Sequence, residues 1–232
     1  IYFYGSTKYL ELYICSFINN SAYCKSSNPF GGAIYLYSKN GKFENLTFEL
    51  NSAFSESSDS FGGSLYIKSI YSSFSNIIFL NNLAYSASKN SNGGAICIKN
   101  TFVSFDNCSF INNNAKTFLD IYLISGDEPR SLGGAVYING SNINFTNCNF
   151  IDNIGFGNAP KHVSTGRGGA IYANYSQINI IKSRFLNNSL LNYGNKYDID
   201  CYIEGGACYF SNASANIFEC EFINNTATLR AS

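Results

Sequence analysis

The segment Gly93-Gly94-Ala95-Ile96-Cys97-Ile98-Lys99-Asn100-Thr101-Phe102-Val103-Ser104-Phe105-Asp106-Asn107-Cys108-Ser109-Phe110-Ile111-Asn112-Asn113 holds the pattern that decides the fold. It opens on Gly-Gly and closes on Phe-x-x-Asn, with the Phe 17 residues after the first Gly. The same pair recurs down the chain. Gly31, Gly62, Gly133, Gly168 and Gly205 are followed at that spacing by Phe48, Phe79, Phe150, Phe185 and Phe222, and Phe17-Ile18-Asn19-Asn20 is a seventh closing half. A fixed internal period marks a stacked-repeat architecture.

Between each closing Asn and the next Gly-Gly the length is not fixed. Three intervals hold 10 residues (21–30, 52–61, 83–92), and the later ones hold 19 (114–132), 14 (154–167) and 16 (189–204). A length that cannot vary is held by packing, and one that can vary is read as a surface loop. Counting the first Gly as position 0, apolar residues fall at 3 (Ile34, Leu65, Ile96, Val136, Ile171), 5 (Leu36, Ile67, Ile98, Ile138), 12 (Phe43, Phe74, Phe105, Phe145), 15 (Leu46, Ile77, Cys108, Cys148) and 17. Steps of two put side chains on one face of a strand, and the odd step between 12 and 15 marks a bend. The expectation is an all-β, right-handed, single-stranded parallel β-helix of about seven coils, with three short strands per coil near 2–6, 10–13 and 15–18. Right-handed winding follows from the crossover rule, and coils about 4.8 Å apart make a rod of roughly 30 Å.

The columns then take physical roles. The Phe at 17 is assigned to the core. The Asn at 20 (Asn20, Asn51, Asn82, Asn113, Asn153, Asn188, Asn225) is assigned to an amide stack at a bend, and Gly-Gly to a corner that needs positive φ or close approach. Position 4 carries Tyr35, Tyr66, Tyr137, Tyr172 and Tyr209, which alternation turns outward. That column is read either as an exposed ligand-stacking face or as Tyr suited to strand pairing. Cys15, Cys108, Cys148 and Cys220 share one interior column, where Cys acts as a small hydrophobe; Cys24 and Cys201, in loops, are freer to pair.

Fifteen acidic and fifteen basic residues balance, so the basic footprint of a nucleic-acid partner is missing. No run of eighteen apolar residues is present to span a membrane. Both ends fall inside repeats and there is no Met. The expectation is one repeat domain over 1–232, truncated at both ends and part of a longer chain, with repeats near 1–30, 31–61, 62–92, 93–132, 133–167, 168–204 and 205–232.

Gly-Gly-Ala-Ile alternating with Phe-x-x-Asn resembles the repeats of the polymorphic outer-membrane proteins, or of eukaryotic surface proteins that share them. The resemblance covers 17–225, with departures at Gly62-Gly63-Ser64-Leu65 and Gly205-Gly206-Ala207-Cys208. It implies a right-handed β-helix displayed at the cell surface and acting in adhesion, with no catalytic residues, cofactor or metal. Recognition is then assigned to the loops 114–132, 154–167 and 189–204, and to Phe118, Tyr122, Asp127, Arg130, His162, Arg167, Tyr193, Lys196, Tyr197 and Asp198 within them. The partner expected is a host-cell or matrix protein or a glycan. The alternative is a polysaccharide lyase or glycosidase, which needs carboxylates converging on one groove. Asp106 and Asp152 stand at different coil positions, and no spacing brings a catalytic set together. A loop Ca²⁺ site from Asp198, Asp200 and Glu204 would lack the glycine-rich repeat of calcium-binding solenoids.

Overall fold

The computed structural model describes residues 1–119, 129–159, 164–194 and 202–231. Every strand pairing among them is parallel, and like positions pair with like across neighbouring repeats. The result is a β-solenoid of about six turns.

The three strands expected from the spacing are present. In the coil that begins at Gly93 they are Ile96–Lys99, Phe102–Asp106 and Ser109–Ile111. The first two ladders join through the long strand Ile34–Glu44 into a twelve-stranded sheet, here sheet I. The third ladder is the seven-stranded sheet II, from Ser16–Ile18 to Glu221–Ile223.

The stretch after each Asn, expected to be loop, is partly strand. Residues such as Ser52–Ser55, Leu83–Ser86, Asn114–Phe118 and Ile154–Asn158 form the seven-stranded sheet III. Short pieces just before Gly-Gly, among them Arg130–Leu132 and Thr165–Arg167, form the five-stranded sheet IV. The inward residues of sheet III are small or polar: Ala53, Ala84 and Ala115, then Ser55, Ser86 and Thr117, all buried. Such residues carry little of the β-branched and aromatic signal by which strands are recognised.

The bends fall where the pattern breaks. The odd step between positions 12 and 15 holds a left-handed residue at position 14, with φ of 50–55° at Asn45, Asn76, Asn107, Asn147, Lys182 and Glu219. Asn adopts this region more readily than most residues, which accounts for its frequency there. Gly-Gly meets both of its expected requirements, one per residue. The first Gly has φ between +58° and +77°. The second lies so close to its neighbours that a Cβ on Gly94 would sit 2.1 Å from the Gly134 carbonyl oxygen.

Phe48, Phe79, Phe110, Phe150 and Phe185 are fully buried, and successive rings from Phe17 to Phe222 stack at 4.5–5.0 Å. Phe222, stacked on Phe185, is 45% exposed. Beside this column runs the Asn ladder. Asn113 Nδ2 donates to Asn153 Oδ1 and to the Phe79 carbonyl, while Asn113 Oδ1 accepts from both the backbone N–H and the Nδ2 of Asn82. Asn51, Asn82, Asn153 and Asn188 repeat this arrangement. All four hydrogen-bonding capacities of each internal amide are used.

The cysteine column is interior, and its thiols also find partners. Cys148 Sγ lies 3.2 Å from the Thr146 carbonyl, and Ser183 Oγ at the same position donates to the Ile181 carbonyl at 2.9 Å. Cys15, Cys24, Cys97, Cys108, Cys148, Cys208 and Cys220 are free thiols; Cys201 lies outside the described residues.

Candidate functional site

The three expanded segments leave from one corner, between sheets III and IV, and their stems are paired coil to coil. Leu119 N–H donates to the Asn158 carbonyl at 2.8 Å, and Ala159 N–H to the Tyr193 carbonyl at 3.0 Å. On the return side Thr165 N–H donates to the Pro129 carbonyl at 3.2 Å. The space beneath the corner is polar, unlike the Phe core. Thr117 Oγ1 donates to the Arg130 carbonyl or meets Ser91 Oγ, each at 3.0 Å, and Ser131 Oγ donates to the Ala115 carbonyl at 2.8 Å. Further along, Asn192 of the last expanded segment reaches the returning stem of the one before: its Nδ2 donates to the Ser164 carbonyl and its Oδ1 accepts from Ser164 Oγ, both at 2.7 Å. These bonds tie the outgoing strand to the returning one, so the stems hold a fixed separation.

Of the ten residues assigned to recognition, Tyr122, Asp127, His162, Lys196, Tyr197 and Asp198 lie outside the described residues. Phe118 and Tyr193 fall on the outward face of sheet III, in register through Asn158. Arg130 is exposed on sheet IV, opposite Thr165. Arg167 is committed to the scaffold: its Nε lies 2.8 Å from Glu204 Oε2, and its guanidinium sits 5.0 Å from the centre of the Tyr209 ring. Glu204 is therefore the partner of an arginine. Among the described residues no three His, Cys, Asp or Glu side chains are grouped as metal ligands.

The ligand-stacking alternative for the position-4 tyrosines is corrected by their burial. Tyr66 is only 6% exposed, and Phe61 and Phe30 pack on it edge-on, at 6.3 and 4.7 Å. Residues just before Gly-Gly fold over the column, forming a small second core with Cys97. Burial raises the Tyr66 and Tyr137 hydroxyls well above the usual phenol range and pushes the Cys97 thiol up to about 12, against a small opposing pull from Lys99.

An outward aromatic column does exist, on sheet III, where the spacing was read as loop. Tyr23, Phe54 and Tyr85 stack at 5.4 and 4.8 Å, and Lys116 Nζ then sits 5.8 Å from the Tyr85 ring and 5.5 Å from the Phe156 ring. Tyr193 leans on Phe156 at 5.8 Å and carries the Arg230 guanidinium at 6.0 Å. This half-exposed ladder of rings and cations ends beside the stems. Its sequence signal was an aromatic three residues after the closing Asn, at Tyr23, Phe54, Tyr85 and Phe156.

A groove of about 610 Å³ crosses the outer face of sheet I, from Tyr9 through Tyr71 and Phe102 to Asn142. None of its lining residues is a carboxylate. Asp106, the nearer of the two aspartates weighed for catalysis, accepts a hydrogen bond from Asn147 Nδ2 at 3.1 Å instead.

No curated protein sequence and no solved structure matches the chain. Two segments, residues 14–37 and 76–99, match the family model of the Chlamydia polymorphic membrane protein repeat. Each runs from a bend residue through a Phe of the stacked column and the bend Asn into the following Gly-Gly strand, 24 residues of a 31-residue turn. The chain is thus a solenoid, two segments of which are similar to the polymorphic membrane protein repeat.

Proposed function

We propose that this chain is a non-catalytic segment of a cell-surface protein, used for adhesion, with recognition carried by the corner between sheets III and IV. The family repeat and the solenoid fold fit a surface-displayed passenger. The observation that carries the reading is the corner itself. Three expanded segments rise from adjacent coils on stems fixed by the Ser, Thr and Asn bonds beneath them, next to the ring and cation ladder of sheet III. Rigid stems lower the entropy lost when a loop binds, and aromatic side chains and Arg are enriched where protein partners are held. The partner is a host-cell or matrix protein.

The test replaces 120–128, 160–163 and 195–201 with short glycine linkers, singly and together, and keeps every strand. Attachment of protein-coated beads to cultured epithelial cells and to a collagen-coated surface is then counted. The combined variant should attach several-fold less than the parent while its circular dichroism is unchanged. Undiminished attachment by the combined variant would remove the corner as the recognition surface.

A further inference from the structure

Aromatic residues in this solenoid stack from coil to coil, and the outer face of sheet I has a gap in such a stack. The strand registers align Tyr9, Asn40, Tyr71 and Phe102 on four successive coils. Tyr71 and Phe102 stack at 5.3 Å, and both remain half-exposed, at 56% and 47%. Between Tyr9 and Tyr71 the intervening coil offers Asn40, which has no ring to fill the place. Two coil spacings separate those residues, about 9.6 Å. One flat ring inserted there would lie about 4.8 Å from each tyrosine, within the 4.5–5.7 Å range of the solenoid's own stacked neighbours.

We propose that this gap is the principal subsite of a binding groove for a neutral oligosaccharide, one residue of which enters the slot between Tyr9 and Tyr71. A pyranose presents C–H groups on its faces and hydroxyls at its rim. Its faces suit aromatic rings, and its rim suits fixed amides and hydroxyls. The groove supplies both, since Asn40, Ser73, Ser104, Asn142 and Asn144 line it beside the rings. Among the described residues the one charged side chain that lines it is Lys42, whose Nζ lies 3.7 Å from Glu44 Oε2 and 5.2 Å from the centre of the Tyr13 ring. With that cation already engaged, the groove favours an uncharged chain over a sulfated or uronic one. This site is separate from the corner between sheets III and IV and does not rest on the adhesive reading.

Isothermal titration of the 232-residue chain with cellotetraose, maltotetraose and tetra-N-acetylchitotetraose tests it, with a tyrosine-containing tetrapeptide as the competing flat-ringed ligand. At least one tetrasaccharide should bind at millimolar concentration or below. Tyr9→Ala, at an exposed site, should weaken that binding at least tenfold. Asn40→Phe, which completes the ladder, should abolish it while leaving the thermal midpoint equal or higher. The variant lacking the three corner segments should bind the sugar normally, so failure here and failure of the adhesive reading are distinct. No binding by any tetrasaccharide, binding by the peptide alone, or parental affinity in both Tyr9→Ala and Asn40→Phe would overturn the proposal.

Discussion

Replacing Asn113 separates what the amide ladder does from what the phenylalanines do. Truncation to Ala removes the acceptor of the Asn82 N–H, at 3.0 Å, and a donor to the Phe79 carbonyl, at 2.9 Å. Asn82 Nδ2 loses one of its two acceptors and keeps the Phe48 carbonyl, and Asn153 Oδ1 keeps the Asn113 backbone N–H. Stranding a buried polar group costs about 1–3 kcal/mol; two such groups put the loss from Asn113→Ala at about 2–6 kcal/mol. Asn113→Asp should be worse at pH 7, because a second carboxylate oxygen replaces the donor and faces the Phe79 and Asn153 oxygens. Burial and those oxygens raise the introduced acid's folded pKa. The folded state then binds its proton more tightly than the unfolded state, so the variant's deficit grows as pH rises above about 4, the unfolded Asp value. Urea unfolding followed by circular dichroism from pH 4 to pH 8 gives the magnitudes. Hydrogen exchange read by mass spectrometry should show the Asn82 amide losing protection in Asn113→Ala, since neighbour contacts dominate a repeat array. An Asn113→Ala chain as stable as the parent, or an Asn113→Asp deficit independent of pH, would refute the assignment.

Gly94→Ala should prevent folding of the central coils, because its Cβ would lie 2.1 Å from the Gly134 oxygen and 2.4 Å from the Asn114 nitrogen, both backbone atoms. Gly140→Ala, at φ +61° and with a side-chain oxygen, that of Asn100, as its closest approach, should cost about 1–2 kcal/mol; thermal melts of the two compare them directly, and equal midpoints would contradict the packing account. Stability should also fall at alkaline pH. Cys97 is pushed up to about 12 from an ordinary 9.0 by burial, so the folded state holds a proton the unfolded state has lost. That contribution is complete below pH 9 and declines as pH rises toward 12, by roughly 1 kcal/mol per pH unit. The urea midpoint should therefore drop between pH 9 and 11, and less steeply in Cys97→Ala, where an identical slope would exclude the thiol.

What the sequence disclosed followed from what repeats at fixed distance. Gly94, Phe110 and Asn113 each sit where backbone approach, ring stacking or amide pairing admits one residue type, so their columns are plain in the letters. Sheet III was hidden because its inward residues, such as Ala84 and Ser86, are the residues of loops as well as of tight strands. The position-4 tyrosines were misjudged for a related reason. Alternation says only that Tyr66 points away from the Phe core, and Phe30 and Phe61, which cover it, come from the stretch that had been assigned to loop. Of the candidate site, the corner was legible from unequal interval lengths alone. The polar bonds beneath it were not, because Thr117 with Arg130 and Asn192 with Ser164 are pairings between strands that the residue spacing does not reveal.

The groove over sheet I and the corner follow from one property of this backbone. Because like positions pair across coils, an outward side chain has its nearest outward neighbours at the same position one coil away, at about 4.8 Å. A substitution on the surface therefore acts on a column. Where the column is uniform, as with Phe54 and Tyr85, the rings cover each other's faces and only their edges meet solvent. Where a small residue interrupts it, as Asn40 does between Tyr9 and Tyr71, two ring faces are opened at a spacing set by the sheet and independent of the side chains. A solenoid with a constant core can thus gain or lose a ring-binding slot through a single outward residue, at no cost to the Gly, Phe and Asn columns that fold it. Lengthening a segment at the corner between sheets III and IV is neutral to the fold for the same reason, since the stems on either side remain paired to their neighbours.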